Sequence, residues 1–455
     1  MHSDRLAYNP AVPATSRKPS PARRIAADRC PGALRLLEAA DGYLARVRLP
    51  GGFVTGEQLK ALAGLAVELG DGRIELTSRG NVQLRALAAD AAGPLTDALA
   101  RAGLLPSLDH DRVRNVLASP LAGLDGAAGG GTGRDLTAFV AALDAGLCAR
   151  PRLAGLPGRF LFAVDDGRGD VAGLGADVVA VIGGDDLVVN GLTVSVPGFG
   201  PTPTGGEAAA RTATASGLTG EGRGRGSRAS GQDLAAADVA AVMLAFAEAF
   251  LDEAEAAAPG AWRITDLPGG AERARAAVAE RFGLAAAPVA ALPATAATRP
   301  VGLVRCQRDV GPGAEHGTVR YEDLDSAVLL APVGRLTAAQ ATWLAARAAG
   351  RPARVTPWRS VVVPDQPDAR LTLREAAGLG FGVDESSPWL RVTACAGRPG
   401  CASALADVQA DAAAFAVRHP GRIVHVSGCG RHCGRPAATE IDVTATSEGY
   451  EVAGV

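Results

Sequence analysis

The sequence has no surplus of either charge. Lys and Arg number 46 against 48 Asp and Glu over 455 residues, a formal net charge of −2. No overall field therefore draws the chain to nucleic acid or to an anionic membrane. No apolar run approaches the roughly 18 residues that a membrane helix needs. The first 24 residues are polar and proline-bearing, without the apolar core of a signal peptide. A soluble cytoplasmic protein is expected. No strand, G-x-G-x-x-G and helix succession of the dinucleotide-binding type occurs. Cysteine is scarce, with seven residues in all. A disulfide scaffold would spread them as pairs, but four crowd toward the end, which points to metal chemistry in a reducing compartment.

Apolar material is ample. Hydrophobic residues make up 47% and charged residues 21%, enough for two to four globular domains. Two stretches fall outside these domains. Residues 1–26 hold Pro10, Pro13, Pro19 and Pro21 among Ser, Arg and Ala, the composition of a disordered tail. Residues 201–233 are Gly, Ser, Thr and Arg with almost no large apolar side chain, a flexible linker. The Gly-Arg run at 222–226 neither follows a strand nor opens an apolar helix, so it is not a phosphate loop.

Two segments share one plan, ARVRLPGGFVTGEQLKALAGLAVELGDGRIELTSRGNVQLRAL (45–87) and LLAPVGRLTAAQATWLAARAAGRPARVTPWRSVVVP (329–364). In each, an apolar strand ends in Pro and Gly, and a Thr opens a helix with Gln at the third position after it. Thr55 with Gln58 and Thr337 with Gln340 mark the two N-caps, and Leu59, Leu62, Leu65, Ala66 and Leu69 give the first helix its apolar stripe. A second strand then leads into Thr77 and Arg79, or Thr356 and Arg359, equated here with one residue of slippage. The duplicated unit is strand, helix, strand, of α+β type. Further strands are expected at 160–164, 178–182, 187–189 and 192–196, with a helix at 234–257. After the second copy, strands are expected at 389–393 and 423–426, with a helix at 402–417.

That last region carries TACAGRPGCASA and HVSGCGRHCGRP. Cys395 follows a strand and Cys401 lies six residues on, with a helix just behind it. Cys429 follows another strand and Cys433 lies four residues on. The spacing C-x5-C, 27 residues, C-x3-C brings four thiolates from two strand ends. A [4Fe–4S] cube needs four soft ligands and small neighbours that let backbone N–H groups approach the sulfides. Gly397, Gly400, Gly428, Gly430 and Gly434 meet that need. A four-cysteine zinc site is the alternative, but it usually uses C-x2-C knuckles. Ordinary buried thiols are the other. Cys30, Cys148 and Cys306 have no partners at ligand spacing and are expected to be structural.

These two motifs resemble the paired cluster motif of the sirohaem-dependent nitrite and sulfite reductases, and the duplicated unit supports the resemblance from about residue 28 onward. It implies a nitrite/sulfite reductase-like fold, with two ferredoxin-like half-domains from an internal duplication plus two mixed α/β domains. The boundaries expected are a tail (1–26), a first half-domain (27–105), a first α/β domain (106–200), the linker (201–233), a helical continuation (234–290), a second half-domain (291–365) and a second α/β domain with the cysteines (366–455). The resemblance assigns Cys395, Cys401, Cys429 and Cys433 to the cluster and makes Cys433 the bridge to a sirohaem iron.

Within that superfamily, CPGALRLLEAADGYLARVRLPGG and DRVRNVLASPLAGLD are similar to the precorrin-3B synthases of aerobic cobalamin synthesis. That likeness implies oxygen-dependent hydroxylation and γ-lactone formation on precorrin-3A, and a mononuclear non-haem iron beside the cluster. Its ligands are not indicated, since none of His110, His316, His419, His425 and His432 forms a spaced pair with a carboxylate. The alternative is a sirohaem-dependent assimilatory sulfite or nitrite reductase. A third reading is a binding protein in which the cysteines hold a metal only as a staple. Either enzyme would draw electrons from a separate reductase or ferredoxin. A monomer is expected, since the duplication supplies a pseudo-dimer within one chain.

Arg79, Arg114 and Arg159 match positions where the reductases place basic residues around sirohaem and its anion, and Arg359 joins them as a donor to tetrapyrrole carboxylates. Asn81, Gln83, Arg85 and Asn115 could add hydrogen bonds. Where the reductases have a second basic residue two beyond the position of Arg159, this chain has Leu161. One charge for a small oxyanion is therefore missing, which is compatible with a bulky organic substrate.

Overall fold

Thr55 and Thr337 each close a capping box: the hydroxyl accepts the N–H of the third helical residue, and that glutamine's side chain accepts the threonine N–H. Each box contributes about 1 kcal/mol. The glutamines reach further in the same way. Gln58 Nε2 donates to the Ala102 carbonyl at 3.2 Å and Gln340 Nε2 to that of Leu379 at 2.8 Å. The computed structural model describes residues 28, 30–125, 131–183, 187–194, 231–257, 260–285, 301–306 and 324–454. The expected tail and nearly all of the expected linker lie outside these residues.

The first unit comprises β1 (Leu37–Ala39), β2 (Gly42–Val47), β3 (Phe53–Val54), α1 (Gly56–Leu69), β4 (Arg73–Leu76), β5 (Val82–Leu87) and α2 (Ala92–Arg101). The first α/β domain follows with β6 (Val116–Ala118), α3 (Thr137–Cys148), β7 (Phe162–Asp165), β8 (Val178–Ile182), β9 (Leu187–Val189), β10 (Leu192–Val194), α4 (Gly231–Ala257) and α5 (Gly270–Phe282). The second unit is β11 (Gly302–Val304), β12 (Ser326–Leu330), β13 (Arg335–Thr337), α6 (Ala338–Arg347), β14 (Ala353–Val355), β15 (Ser360–Val363) and α7 (Ala369–Gly378). The second α/β domain holds β16 (Val392–Ala394), α8 (Val408–Arg418), β17 (Val424–Ser427), β18 (Ile441–Thr446) and β19 (Gly449–Gly454).

The two units exchange strands. One sheet runs β1-β2-β5-β4-β13 and the other β11-β12-β15-β14-β3, so each copy lends its short third strand to its mate. Leu59, Leu62 and Ala66 of α1 share one core with Ala341 and Leu344 of α6 and with the inward residues of both sheets. Neither unit could bury its helix alone. The second half-domain continues past residue 365, where the sequence reading closes it, because α7 packs on β11 and β12 as the mate of α2. The α/β domains also match one another. In β6-β7-β8-β9 and in β16-β17-β18-β19, the first three strands are parallel and the fourth antiparallel.

Each α/β domain covers the other half's sheet. The loop after β6 lies over the second sheet, where Leu121 and Leu124 pack on Val328 and Val362 and Arg354 donates to the carbonyls of Pro120 and Ala122, both at 2.8 Å. The loop after β16 lies over the first sheet, where Arg85 donates to the Gly400 carbonyl at 2.9 Å. The helix expected directly behind Cys401 starts only at Val408, where Asp407 supplies the N-cap. Residues 402–407 turn instead, and this frees the Cys395–Cys401 segment to loop over the sheet.

Candidate iron–sulfur and anion-binding site

Cys395 and Cys429 stand at the carboxyl ends of adjacent parallel strands, because β16 pairs with β17. The two cysteine loops are stitched together. The N–H of Cys395 donates to the Val426 carbonyl at 3.0 Å, that of Leu405 to the Gly428 carbonyl at 2.7 Å, and that of Cys401 to the Gly397 carbonyl at 2.8 Å. A side chain at Gly428 would meet Ala404 Cβ at 2.6 Å, so only glycine allows this approach. The Gly428 N–H donates to Cys395 Sγ, 3.1 Å away.

None of the four thiols is in a disulfide. Cys395, Cys401 and Cys429 are half-buried and Cys433 is exposed. Among the described residues, no three thiols come within 4.8 Å of one another. Ligands of one tetrahedral zinc would lie about 3.8 Å apart. Four thiols on two loops joined by backbone hydrogen bonds are the soft donor set that a four-iron cube takes. Cys30, Cys148 and Cys306 lie elsewhere, and burial pushes the Cys30 and Cys148 thiols up.

The first sheet turns a polar face toward the Cys395–Cys401 loop. Arg46, Gln83, Glu75 and Arg335 are register partners across β2, β5, β4 and β13. They form a ladder, Arg46 Nε to Gln83 at 3.0 Å, Gln83 to Glu75 at 3.2 Å and Arg335 to Glu75 at 3.2 Å. Arg85 stands two residues from Gln83 on the same face, paired with Asp41 at 3.0 Å and bonded to Gly400. The second sheet's equivalent face carries Val328 and Val362 under Leu121 and Leu124, with Arg354 spent on the covering loop's carbonyls, so one of the two quasi-equivalent faces is equipped for polar ligands.

At the end of that face three arginines gather. Among the described residues, no carboxylate lies within salt-bridge reach of Arg46, Arg48 or Arg79. Arg48 is 2% exposed and donates only to the carbonyls of Arg46, Pro31 and Arg112. Burial, and then the neighbouring Arg46, push it down to about 9. Arg79 is also lowered, by burial and by Arg263, and reaches the Gly158 carbonyl at 3.4 Å. Asn81 and Asn115 bond to each other at 3.3 Å, and Asn115 donates to the Gly158 carbonyl at 3.1 Å, fixing the Arg79 turn against the loop before β7.

The sequence-predicted arginines separate. Arg79 lies in this group. Arg159 is exposed and stacks over the Trp262 ring at 4.2 Å, beside Arg263, which pairs with Asp177 at 2.7 Å. Arg114 is committed elsewhere. Its Nε and Nη2 hold Asp144 at 2.7 Å each, its Nη1 donates to the Leu104 carbonyl at 3.0 Å, and it is 4% exposed. It is therefore a structural ion pair and not an open donor. Arg359 lies against Gly334, at the start of β13 on the edge of the polar face. Leu161 is 3% exposed, in an apolar cluster with Leu117, Ala163 and Val171. Sequence reasoning missed Arg46, Arg48, Trp262 and Arg263. The alternation of Arg46, Val47, Arg48 and Leu49 did signal a strand with one charged face.

In the first α/β domain, the place equivalent to the cysteine loops is filled by ion pairs. Arg168 grips Asp125 at 2.8 and 2.9 Å and Asp166 at 2.7 and 2.8 Å. Asp165 accepts four backbone N–H groups, from Gly167, Gly169, Val171 and Ala172. Oxygens of Asp165, Asp166 and Asp170 lie within 4.8 Å of one another, but these bonds already satisfy Asp165 and Asp166. Among the described residues, no histidine joins two carboxylates at ligand distance, so nothing supports the expected mononuclear iron. His425 is buried, with Nδ1 2.9 Å from Thr393 Oγ1. Burial pushes it down to about 4, so its ring is neutral.

Residues 36–102 match the nitrite/sulfite reductase ferredoxin-like half domain. The ferredoxin–nitrite reductase of Synechococcus elongatus is 29% identical over 438 residues, which cover 91% of this chain and 78% of that protein. A precorrin-3B synthase of Sinorhizobium is 34% identical over 80 residues, 16% of this chain and 17% of the relative. The solved structure of Mycobacterium tuberculosis NirA superposes with a TM-score of 0.61 at 19% identity, covering 90% of this chain and 73% of that one. The architecture is therefore the nitrite reductase-like fold, with mixed α/β content and the ferredoxin-like half-domain in place. The chain thus shares this fold, and over residues 36–102 the half domain, with the nitrite/sulfite reductases. No helix among the described residues is long and apolar enough to cross a membrane.

Proposed function

We propose that the chain is an iron–sulfur oxidoreductase that holds a polycarboxylate tetrapyrrole on the polar face of its first sheet. Its reaction is that of a precorrin-3B synthase, the oxygen-dependent hydroxylation of precorrin-3A at a ring-junction carbon with γ-lactone closure from an acetate side chain. The observation that carries this reading is the grouping of Arg46, Arg48 and Arg79, which have no salt bridge among the described residues and of which Arg48 and Arg79 are lowered despite the charges of Asp111 and Asp177. Packing like charges is costly unless an anion completes the site, and the fork of each guanidinium matches one carboxylate.

A [4Fe–4S] cluster held by Cys395, Cys401, Cys429 and Cys433 would supply electrons one at a time. Arg85 ties the Cys395–Cys401 loop to the face on which the substrate would rest. Arg159, stacked on Trp262, and Arg359, at the opposite edge, supply further donors. Leu161, buried in an apolar cluster, leaves no second cation for a small oxyanion. A separate reductase or ferredoxin is the electron source, and molecular oxygen the co-substrate.

The second reading, a sirohaem-dependent nitrite or sulfite reductase, is favoured by the Synechococcus relative, which aligns with 91% of this chain. In that case sirohaem would occupy the same face, bridged through Cys433. An anaerobic ultraviolet–visible spectrum with iron and sulfide analysis separates the two, followed by precorrin-3A with reductant and air. Iron–sulfur absorption without haem bands, and a hydroxylated lactone product, supports the synthase. Sirohaem bands with nitrite or sulfite turnover favour the reductase, and zinc without iron sinks both.

A further inference from the structure

Four buried polar atoms without a hydrogen bond among the described residues lie on one side of one sheet: His425 Nε2, Ser427 Oγ, and His432 Nδ1 and Asp442 Oδ1, which face each other at 3.5 Å. The cause is topological. Thr393, His425 and Asp442 are register partners on β16, β17 and β18. Their neighbours Val392, Val424, Val426 and Val443 enter the core with Val408, Ala412 and Phe415 of α8, so strand alternation sends the polar residues, with Ser427, to the opposite face. His425 and Ser427 are 0% exposed and Asp442 is 6% exposed. Each unpaired buried atom costs about 1–3 kcal/mol, so such a concentration in one place calls for a role.

That face ends at the cysteine loops, and Asp442 reaches the second loop twice. It pairs with Arg435, just past Cys433, and lies 3.5 Å from His432 Nδ1. His432 sits between the two cysteines with φ 49°, a left-handed backbone that costs about 1 kcal/mol for a residue with a side chain, and its N–H reaches the Cys429 carbonyl at 3.3 Å. Asp442 therefore holds a strained turn from both sides. Beside Asp442 stands His425, its ring fixed by the Thr393 hydroxyl at 2.9 Å.

We propose that His425 is the positioning residue of the turn that carries Cys429 and Cys433: Thr393 fixes the ring, and the ring bears on the turn through the Cys433 backbone, beside Asp442, which holds the turn at His432 and Arg435. His425 touches no reacting atom, and its effect is on how the last two thiolates are presented. This rests on the reading that the four cysteines hold a cluster. Outer residues that orient metal ligands shift affinity by about 10–100-fold when altered.

The test uses the holoprotein isolated without air. Iron and sulfide analysis of the wild type addresses the cluster reading alone, and a wild type lacking both overturns it and this proposal together. With the cluster present, H425L and H425Q are compared by the electron paramagnetic resonance of the reduced cluster, its midpoint potential and the rate of iron release to a chelator. H425L should release iron about tenfold faster or more, with shifted g values and potential. H425Q, which keeps a donor and an acceptor, should restore them toward wild type. Two wild-type-like variants overturn the proposal, and so does H425Q as perturbed as H425L, which would assign the effect to ring volume. If H425L fails to fold, T393V removes only the hydroxyl that orients the ring. Shifted g values and faster iron release in T393V support the proposal, and wild-type values overturn it.

Discussion

Arg359 occupies in the second copy the place that Gly80 holds in the first. Their φ angles are 63° and 64°, and each donates its N–H to the carbonyl of its turn's threonine, Thr356 at 3.1 Å and Thr77 at 3.2 Å. The residue before each, Trp358 or Arg79, bonds to that threonine's hydroxyl at 3.2 or 3.3 Å. Arg79 thus corresponds to Trp358, and the equivalence of Arg79 with Arg359 drawn from the sequence is off by one residue. Glycine adopts the left-handed turn without a steric cost, whereas an arginine there is strained by about 1 kcal/mol. The strain carries its side chain across Gly334 to the edge of the polar sheet face.

Substituting Arg359→Gly should leave the melting temperature within about 2 °C of wild type, since relief of strain offsets the added freedom of the unfolded chain. Binding of a water-soluble porphyrin polycarboxylate, followed by absorption titration, should weaken about tenfold for one lost charge-assisted contact. Unchanged binding would remove Arg359 from the site.

Ser substitutions of Cys395, Cys401, Cys429 or Cys433 should each cut iron and sulfide per chain by more than about half, because a cube with three protein ligands is readily lost. Substitutions of Cys30 or Cys148 should leave both unchanged, as these thiols are remote from the loops. Retained iron in all four Ser variants would refute the ligand set.

The duplication was legible because two T-x-x-Q caps and their helices are local signals, and the cysteine loops because ligand spacing is local too. Strand exchange was not legible. β3 and β13 are only two and three residues long, and nothing in them says which sheet they join. The site's arginines were read in part. Arg46 lies in a strand, and Arg48 just past its end, in an alternation that was visible, but Arg263 arrives from beyond the 201–233 stretch, and the capture of Arg114 by Asp144, 30 residues away, follows only from the packing of α3. The start of α8 was placed too early because the alanines after Cys401 have helical propensity, whereas the cap lies at Asp407.

Arg114 and Arg79 should respond in opposite directions. Arg114→Met breaks a buried two-point ion pair and strands Asp144, which should cost about 3 kcal/mol and lower the melting temperature by several degrees. Arg79→Met removes a charge that burial and Arg263 disfavour, so the ligand-free protein should melt at the same temperature or higher while porphyrin polycarboxylate binding falls. Equal destabilisation by both would show that Arg79 too is a structural residue.

Asp170 sets a pH dependence. Burial, and then the charges of Asp165 and Asp166, push its carboxyl up to about 7, against the pull of Ser119 and Arg168. The folded protein therefore holds this proton more tightly than the unfolded chain, whose ordinary value is 3.8. The stabilisation is complete below the unfolded value and is lost as pH rises toward 7, with a ceiling of roughly 4 kcal/mol at 1.36 kcal/mol per unit. Asp170→Asn removes the titration and keeps an acceptor for the Ser119 hydroxyl, which bonds to Asp170 at 2.6 Å. In thermal melts, the advantage of the Asn variant over wild type should be small or negative at pH 5 and should grow by several degrees at pH 8. The same difference at both pH values would mean that Asp170 is ionised throughout.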